Sequence, residues 1–127
     1  MINPCRVLIV DDSAAWCRNI QRILQKAGFA VTVARDPDFA LQELKITTFD
    51  VAVVDINLDS EVMDGLDINR YIQNNSNNIR VILISTEPLP EYEVNQISPA
   101  IFLNKMQIAK RSISLVEAIE AVLLNHT

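Results

Sequence analysis

Asp11 and Asp12 close the apolar run Val7–Val10, Asp55 closes Val51–Val54, Ser85 closes Val81–Ile84, and Asn104 and Lys105 follow Ile101–Leu103. Three carboxylates gathered at one place repel one another, and without a cationic partner one or more keeps its proton. A divalent cation resolves that repulsion. All-oxygen donors suit magnesium better than zinc, which prefers nitrogen and sulfur, and the one histidine, His126, falls in the last three residues and reads as a tail residue. Beside such a cation an aspartate can accept a phosphoryl group covalently, and no Ser–His or Cys–His pair offers another nucleophile. Lys105 supplies a second positive charge for the phosphoryl oxygens and Ser85 a hydroxyl donor. With Gly28 and Gly65 the only glycines, there is no Gly-rich phosphate loop, which argues against ATP as the direct donor. Asp55 is the candidate acceptor.

Whether these residues meet depends on the elements that carry them. Arg6–Val10 reads as a buried strand. Ser13 or Asp12 caps the helix after it, whose stripe runs Trp16, Ile20, Ile23, Leu24 and Ala27 before Gly28 ends it, and Trp16 reads as plain core. Phe29–Ala34 is a second strand. Asp36 and Pro37 start a helix that carries Ala40, Leu41 and Leu44 inward and ends near Lys45. Phe49–Val54 is nearly continuous in apolar side chains, as a central parallel strand is. An acidic loop then runs from Ile56 to Gly65, a helix spans Leu66 to about Asn74, and the polar run Asn74–Asn78 closes it. Ile79–Ile84 is strand four. Prolines at 88, 90 and 99 limit any helix between them to a short one. Ala100–Leu103 is strand five, and Ser114–Leu124 a last helix with Leu115, Ala118, Ile119, Val122 and Leu123 inward. Strands alternating with helices give a parallel sheet with helices on both faces, an α/β three-layer sandwich. All carboxyl ends of the strands then share one edge, which brings the five polar positions together.

Composition narrows the function classes. The 127 residues fit one domain over 1–127, with no output domain in the chain. A net charge of −5 argues against direct nucleic-acid binding. Apolar runs are only strand-sized, and Met1–Pro4 does not start a secretory signal, so no membrane role and a cytoplasmic location are expected. Cys5 and Cys17 lack metal-ligand spacing and read as reduced fillers. The acidic run Asp59–Asp67 reads as a solvated face.

Asp11–Asp12, Asp55, Ser85–Thr86 and Lys105, each after a strand, together resemble the receiver domain of two-component response regulators over essentially the whole chain. Phe102 resembles that family's aromatic switch position. The resemblance implies a flavodoxin-like fold with strand order 2-1-3-4-5, and it implies Mg2+ held by Asp12 and Asp55 directly, by the Asn57 backbone carbonyl, and by Asp11 mainly through water. It further implies that Asp55 takes its phosphoryl group from a phosphohistidine on a histidine kinase or histidine phosphotransfer protein. Lys105 would pair with Asp55 or the phosphate, and Ser85 and Phe102 would move as a switch read by a downstream protein. Self-phosphorylation and self-dephosphorylation are the most enzymatic activity expected. The chain departs from the family where it carries Asp59 in place of a frequent proline, Thr86 in place of a small residue, Met106 in place of a proline, and two extra residues between Asp55 and Gly65. A phosphorylation-independent interaction module of the same fold is the alternative reading. A phosphohydrolase with an Asp nucleophile ranks third, because Asn57 stands where its second acid would be.

Overall fold

A computed structural model describes residues 4–75, 78–89 and 91–124. His126, and Ser76 and Asn77 of the polar run, lie outside the described residues. Strands β1 (Arg6–Val10), β2 (Ala30–Ala34), β3 (Val51–Asp55), β4 (Arg80–Ser85) and β5 (Ile101–Asn104) form one sheet in the order 2-1-3-4-5. Every neighbouring pair is parallel, as the alternation of strands and helices predicts. Val7–Val10 and Val51–Val54 are fully buried, which explains why β1 and β3 read as unbroken apolar runs.

Side chains alternate across the sheet. Leu8, Val10, Ala52, Val54 and Leu83 pack on one face with Ala40 of α2 (Pro37–Ile46) and Ile68 and Ile72 of α3 (Gly65–Asn75). Val7, Ile9, Val51, Val53 and Ile84 pack on the other, against Cys17, Ile20 and Leu24 of α1 (Ala14–Lys26) and Leu115 and Ile119 of α6 (Ile113–Leu124). The same two-residue period puts Asp11 and Asp55 on the α1–α6 side, and Ser85 with Leu83 on the other. Among the described residues, no helix is long and apolar enough to cross a membrane.

The helix starts follow their capping residues. Ser13 Oγ accepts the Trp16 N–H at 3.3 Å, and Asp36 Oδ1 accepts the Phe39 N–H at 2.8 Å with Pro37 in the first turn. Gly28 takes φ +98° just past α1, a left-handed conformation that favours glycine. Ala27 is exposed rather than part of the buried stripe, and Cys17 takes an inward place that the stripe had not included. The segment between the prolines holds only the short α4 (Glu91–Ile97).

One helix leaves no apolar pattern in the sequence. α5 (Lys105–Lys110) begins at Lys105 itself and buries only Lys105 and Ile108, so it carries no apolar stripe to betray it. Its signal is the pair Asn104 and Gln107. Asn104 Oδ1 accepts the Met106 N–H at 2.8 Å, and Gln107 Oε1 accepts the Asn104 N–H at 3.0 Å, a capping box at the end of β5. The cap therefore fixes where Lys105 leaves the sheet. Asn104→Ala is expected to cost about 1 kcal/mol, seen in urea unfolding as a lower midpoint with an unchanged slope.

Candidate functional site

Asp11, Asp55, Ser85 and Lys105 are buried polar residues at the carboxyl edge of the sheet. Lys105 reaches back so that its Nζ stands 2.8 Å from Asp11 Oδ2 and 3.1 Å from Asp55 Oδ2. The contact with Asp55 is a hydrogen bond; that with Asp11 is an ion pair without hydrogen-bond angles, so Asp11 Oδ2 is buried with no hydrogen-bond donor. Asp12 is half-buried at the opening. Asp11, Asp12 and Asp55 each offer an oxygen within 4.8 Å of the others.

The charges do not balance: three carboxylates face the Lys105 ammonium, with the Arg35 guanidinium at the exposed side donating to the Asp12 carbonyl at 3.3 Å. Burial pushes the Asp55 carboxyl above its ordinary range, Lys105 pulls it back, and the Asp11 charge raises it again. Clustered oxygen donors and surplus negative charge fit a hard divalent cation. Cys17 donates its S–H to the Asp11 carbonyl at 3.1 Å, and burial pushes the thiol up to about 11, so it stays a protonated packing residue.

Asn57 ties the two faces of the sheet together. Its backbone N–H donates to Asp55 Oδ1 at 3.1 Å, and its side-chain amide donates to Ser85 Oγ at 2.8 Å. The Glu87 N–H also donates to Ser85 Oγ, at 3.1 Å. Ser85 thus joins Asp55 through Asn57 rather than by direct contact. Phe102 is half-buried, packs on the α2–α3 side of the core and lines a surface groove with Pro88, Leu89 and Ile97. It is not among the residues that touch the carboxylates. Thr86 and Met106 are exposed.

Two further residues shape the site. The Trp16 ring lies under the Lys105 ammonium, with 5.0 Å from Nζ to the ring centroid, so its role extends beyond core packing. Its place one helical turn beyond Asp12 was the available signal. Gly65 donates its N–H to the Ile56 carbonyl at 3.0 Å, and a Cβ there would lie 2.1 Å from the Asp55 carbonyl oxygen. The glycine lets the start of α3 close against the backbone of Asp55.

The model of the response regulator receiver domain matches residues 7–107. The chain belongs to that family. It is 39% identical over 82 residues to a protein-glutamate methylesterase/protein-glutamine glutaminase of Caulobacter vibrioides, covering 64% of this chain and 23% of that protein. It is 39% identical over 85 residues to the regulatory protein VirG of Rhizobium rhizogenes, covering 67% and 34%. The chain spans about a third or less of the curated relatives it matches. Among solved structures, the chemotaxis protein CheY4 of Vibrio cholerae superposes with a TM-score of 0.78 at 25% identity, covering 92% of this chain and 99% of that one. The receiver domain of the Francisella response regulator 1452 gives 0.79 at 23% identity, covering 95% and 97%, a likeness of fold.

Two outcomes follow from this geometry. Gly65→Ala is expected to cost about 1–3 kcal/mol, because backbone rather than a flexible side chain must give way, measurable by urea unfolding. The second concerns pH. A carboxyl raised in the folded state adds stability below its unfolded value of about 3.9, and that contribution is lost as pH rises through the folded value. Thermal unfolding in a chelator should therefore find Asp55→Asn close to the native protein in acid and increasingly more stable than it as pH rises past the ordinary carboxylate range.

Proposed function

We propose that the chain is a phosphoryl-accepting switch, with Asp55 taking the group from a phosphohistidine of a histidine kinase or histidine phosphotransfer protein. The observation that carries this reading is the Lys105 ammonium held 3.1 Å from Asp55 Oδ2 and 2.8 Å from Asp11 Oδ2 in a buried pocket. A structural salt bridge needs one carboxylate. A third carboxylate beside the pair gains nothing for stability and is explained by charge that arrives later.

In the transfer, a carboxylate oxygen of Asp55 attacks phosphorus as the phosphorus–nitrogen bond breaks, and the imidazole nitrogen leaves with that bond's electron pair. Lys105 already faces the acceptor carboxylate and can follow the incoming phosphoryl oxygens with little rearrangement. Asp11, Asp12, Asp55 and the Asn57 backbone carbonyl would hold Mg2+. When bound, the cation neutralises charge on the phosphoryl oxygens. Burial excludes much of the water that would otherwise weaken these interactions.

Ser85 supplies the response. Its hydroxyl accepts from Asn57 and Glu87 and keeps its own O–H to donate. Because it lies on the opposite face of the sheet from Asp55, reaching a phosphoryl oxygen there would turn the side chain and change what Asn57 and Glu87 contact. Leu83 pairs with Phe102 and Ser85 with Asn104 across the β4–β5 ladder, so a shift at Ser85 is coupled to the Phe102 groove, where a downstream protein would read it. The chain acts as a single receiver unit in the cytoplasm, with turnover limited to its own phosphorylation and dephosphorylation.

Incubation with a small phosphodonor and magnesium should add the mass of one phosphoryl group to the native protein and none to Asp55→Asn. An unmodified native mass would favour the phosphorylation-independent interaction module instead.

A further inference from the structure

Asp12 sits at the mouth of the carboxylate cluster, and among the described residues its carboxylate receives one hydrogen bond: the Asp59 backbone N–H donates to Oδ2 at 2.9 Å. We propose that this amide is the positioning donor for Asp12, so that the loop after Asp55 sets the affinity of the site for its cation. The inference rests on the reading that Asp12 helps to hold a divalent cation.

The loop has the build such a role needs. Leu58 is 8% exposed and packs into the core, which anchors the chain one residue before the donor. The Ser60 N–H donates to the Leu58 carbonyl at 2.8 Å, folding the chain tightly around Asp59. Ser60 Oγ in turn accepts from the N–H groups of Val62 and Met63, each at 3.2 Å. Asp64 and Asp67 exchange backbone N–H to carboxylate bonds at 3.0 Å each, and the Gly65 N–H closes the base of the loop on Ile56. The loop is thus folded back on itself, with the Asp59 amide aimed at Asp12.

A carboxylate that accepts a fixed N–H at one oxygen has lost rotational freedom, and the other oxygen is left for the cation. Donors of this kind typically alter metal affinity about 10- to 100-fold. The contribution comes from the main chain, so the residue type matters only in one respect: proline has no N–H to give. The Asp59 side chain is exposed, and its charge acts through solvent with a smaller effect.

Calorimetric titration with magnesium chloride separates these contributions. Asp59→Ala keeps the N–H and should bind within about threefold of the native protein, whereas Asp59→Pro should bind about tenfold more weakly or worse. Asp59→Pro binding as tightly as Asp59→Ala would overturn the proposal while leaving the cation site standing. A native protein with no saturable magnesium binding would overturn the site reading and this proposal with it. Hydrogen exchange on the native protein gives a check that needs no variant: saturating magnesium should slow exchange of the Asp59 amide, and unchanged exchange there would count against the proposal.

Discussion

Lys105 stands between Asp11 and Asp55 with its ammonium buried, and much of the site's design follows from keeping it there. A buried ammonium is stable only when paired. Here the pairing comes from two strand ends, β1 and β3, and the face of Trp16 completes the surroundings. The lysine itself starts α5, and the Asn104–Gln107 capping box fixes the point where it turns. The buried charges are unequal, with one ammonium set against Asp11, Asp55 and the nearby Asp12. The surplus charge suits a divalent cation, and in the proposed function that cation would in turn suit the pocket to a phosphoryl group.

The fold supplies this arrangement through alternation alone. Odd-numbered residues of β1 and β3 face α1 and α6, so Asp11 and Asp55 extend the rows that begin with Val7 and Val51. Ser85 extends the Val81–Leu83 row on the opposite face, which is why it meets Asp55 only through Asn57. That separation suits a switch. The charged centre and the group that would sense it lie on different sides of the sheet, and the second side carries Phe102. Gly65 keeps the joint tight, since any side chain there would collide with the backbone of Asp55.

The parts of this design carried by period and position were legible in the sequence. Buried parallel strands announce themselves as apolar runs, and the polar residue ending each run marks the functional edge, so the parallel sheet and the convergence of Asp11, Asp12, Asp55, Ser85 and Lys105 could be anticipated, whereas the strand order followed only from the family resemblance. α5 escaped because it buries so little that no stripe forms. Trp16 read as core because a stripe position says nothing about which neighbour the ring will face. Gly65 looked like a loop residue because its requirement comes from a backbone 10 positions earlier, a contact that no local pattern encodes. The loop after Asp55 read only as an acidic, solvated stretch, whereas it folds into a braced turn whose Asp59 amide reaches Asp12, a backbone contact that side-chain patterning does not encode.

The claim beneath all of this is that the carboxylate cluster is built to be completed by a divalent cation. The most direct measurement is the free energy of unfolding of the native protein during stepwise addition of magnesium chloride after exhaustive chelation. A ligand that binds only the folded state stabilises it by RT ln(1 + [L]/Kd), about 2.7 kcal/mol when its concentration is about 100 times Kd. The account predicts that logarithmic rise for the native protein and its loss in Asp12→Asn. A native stability indifferent to magnesium, or a rise that survives unchanged in Asp12→Asn, would contradict it.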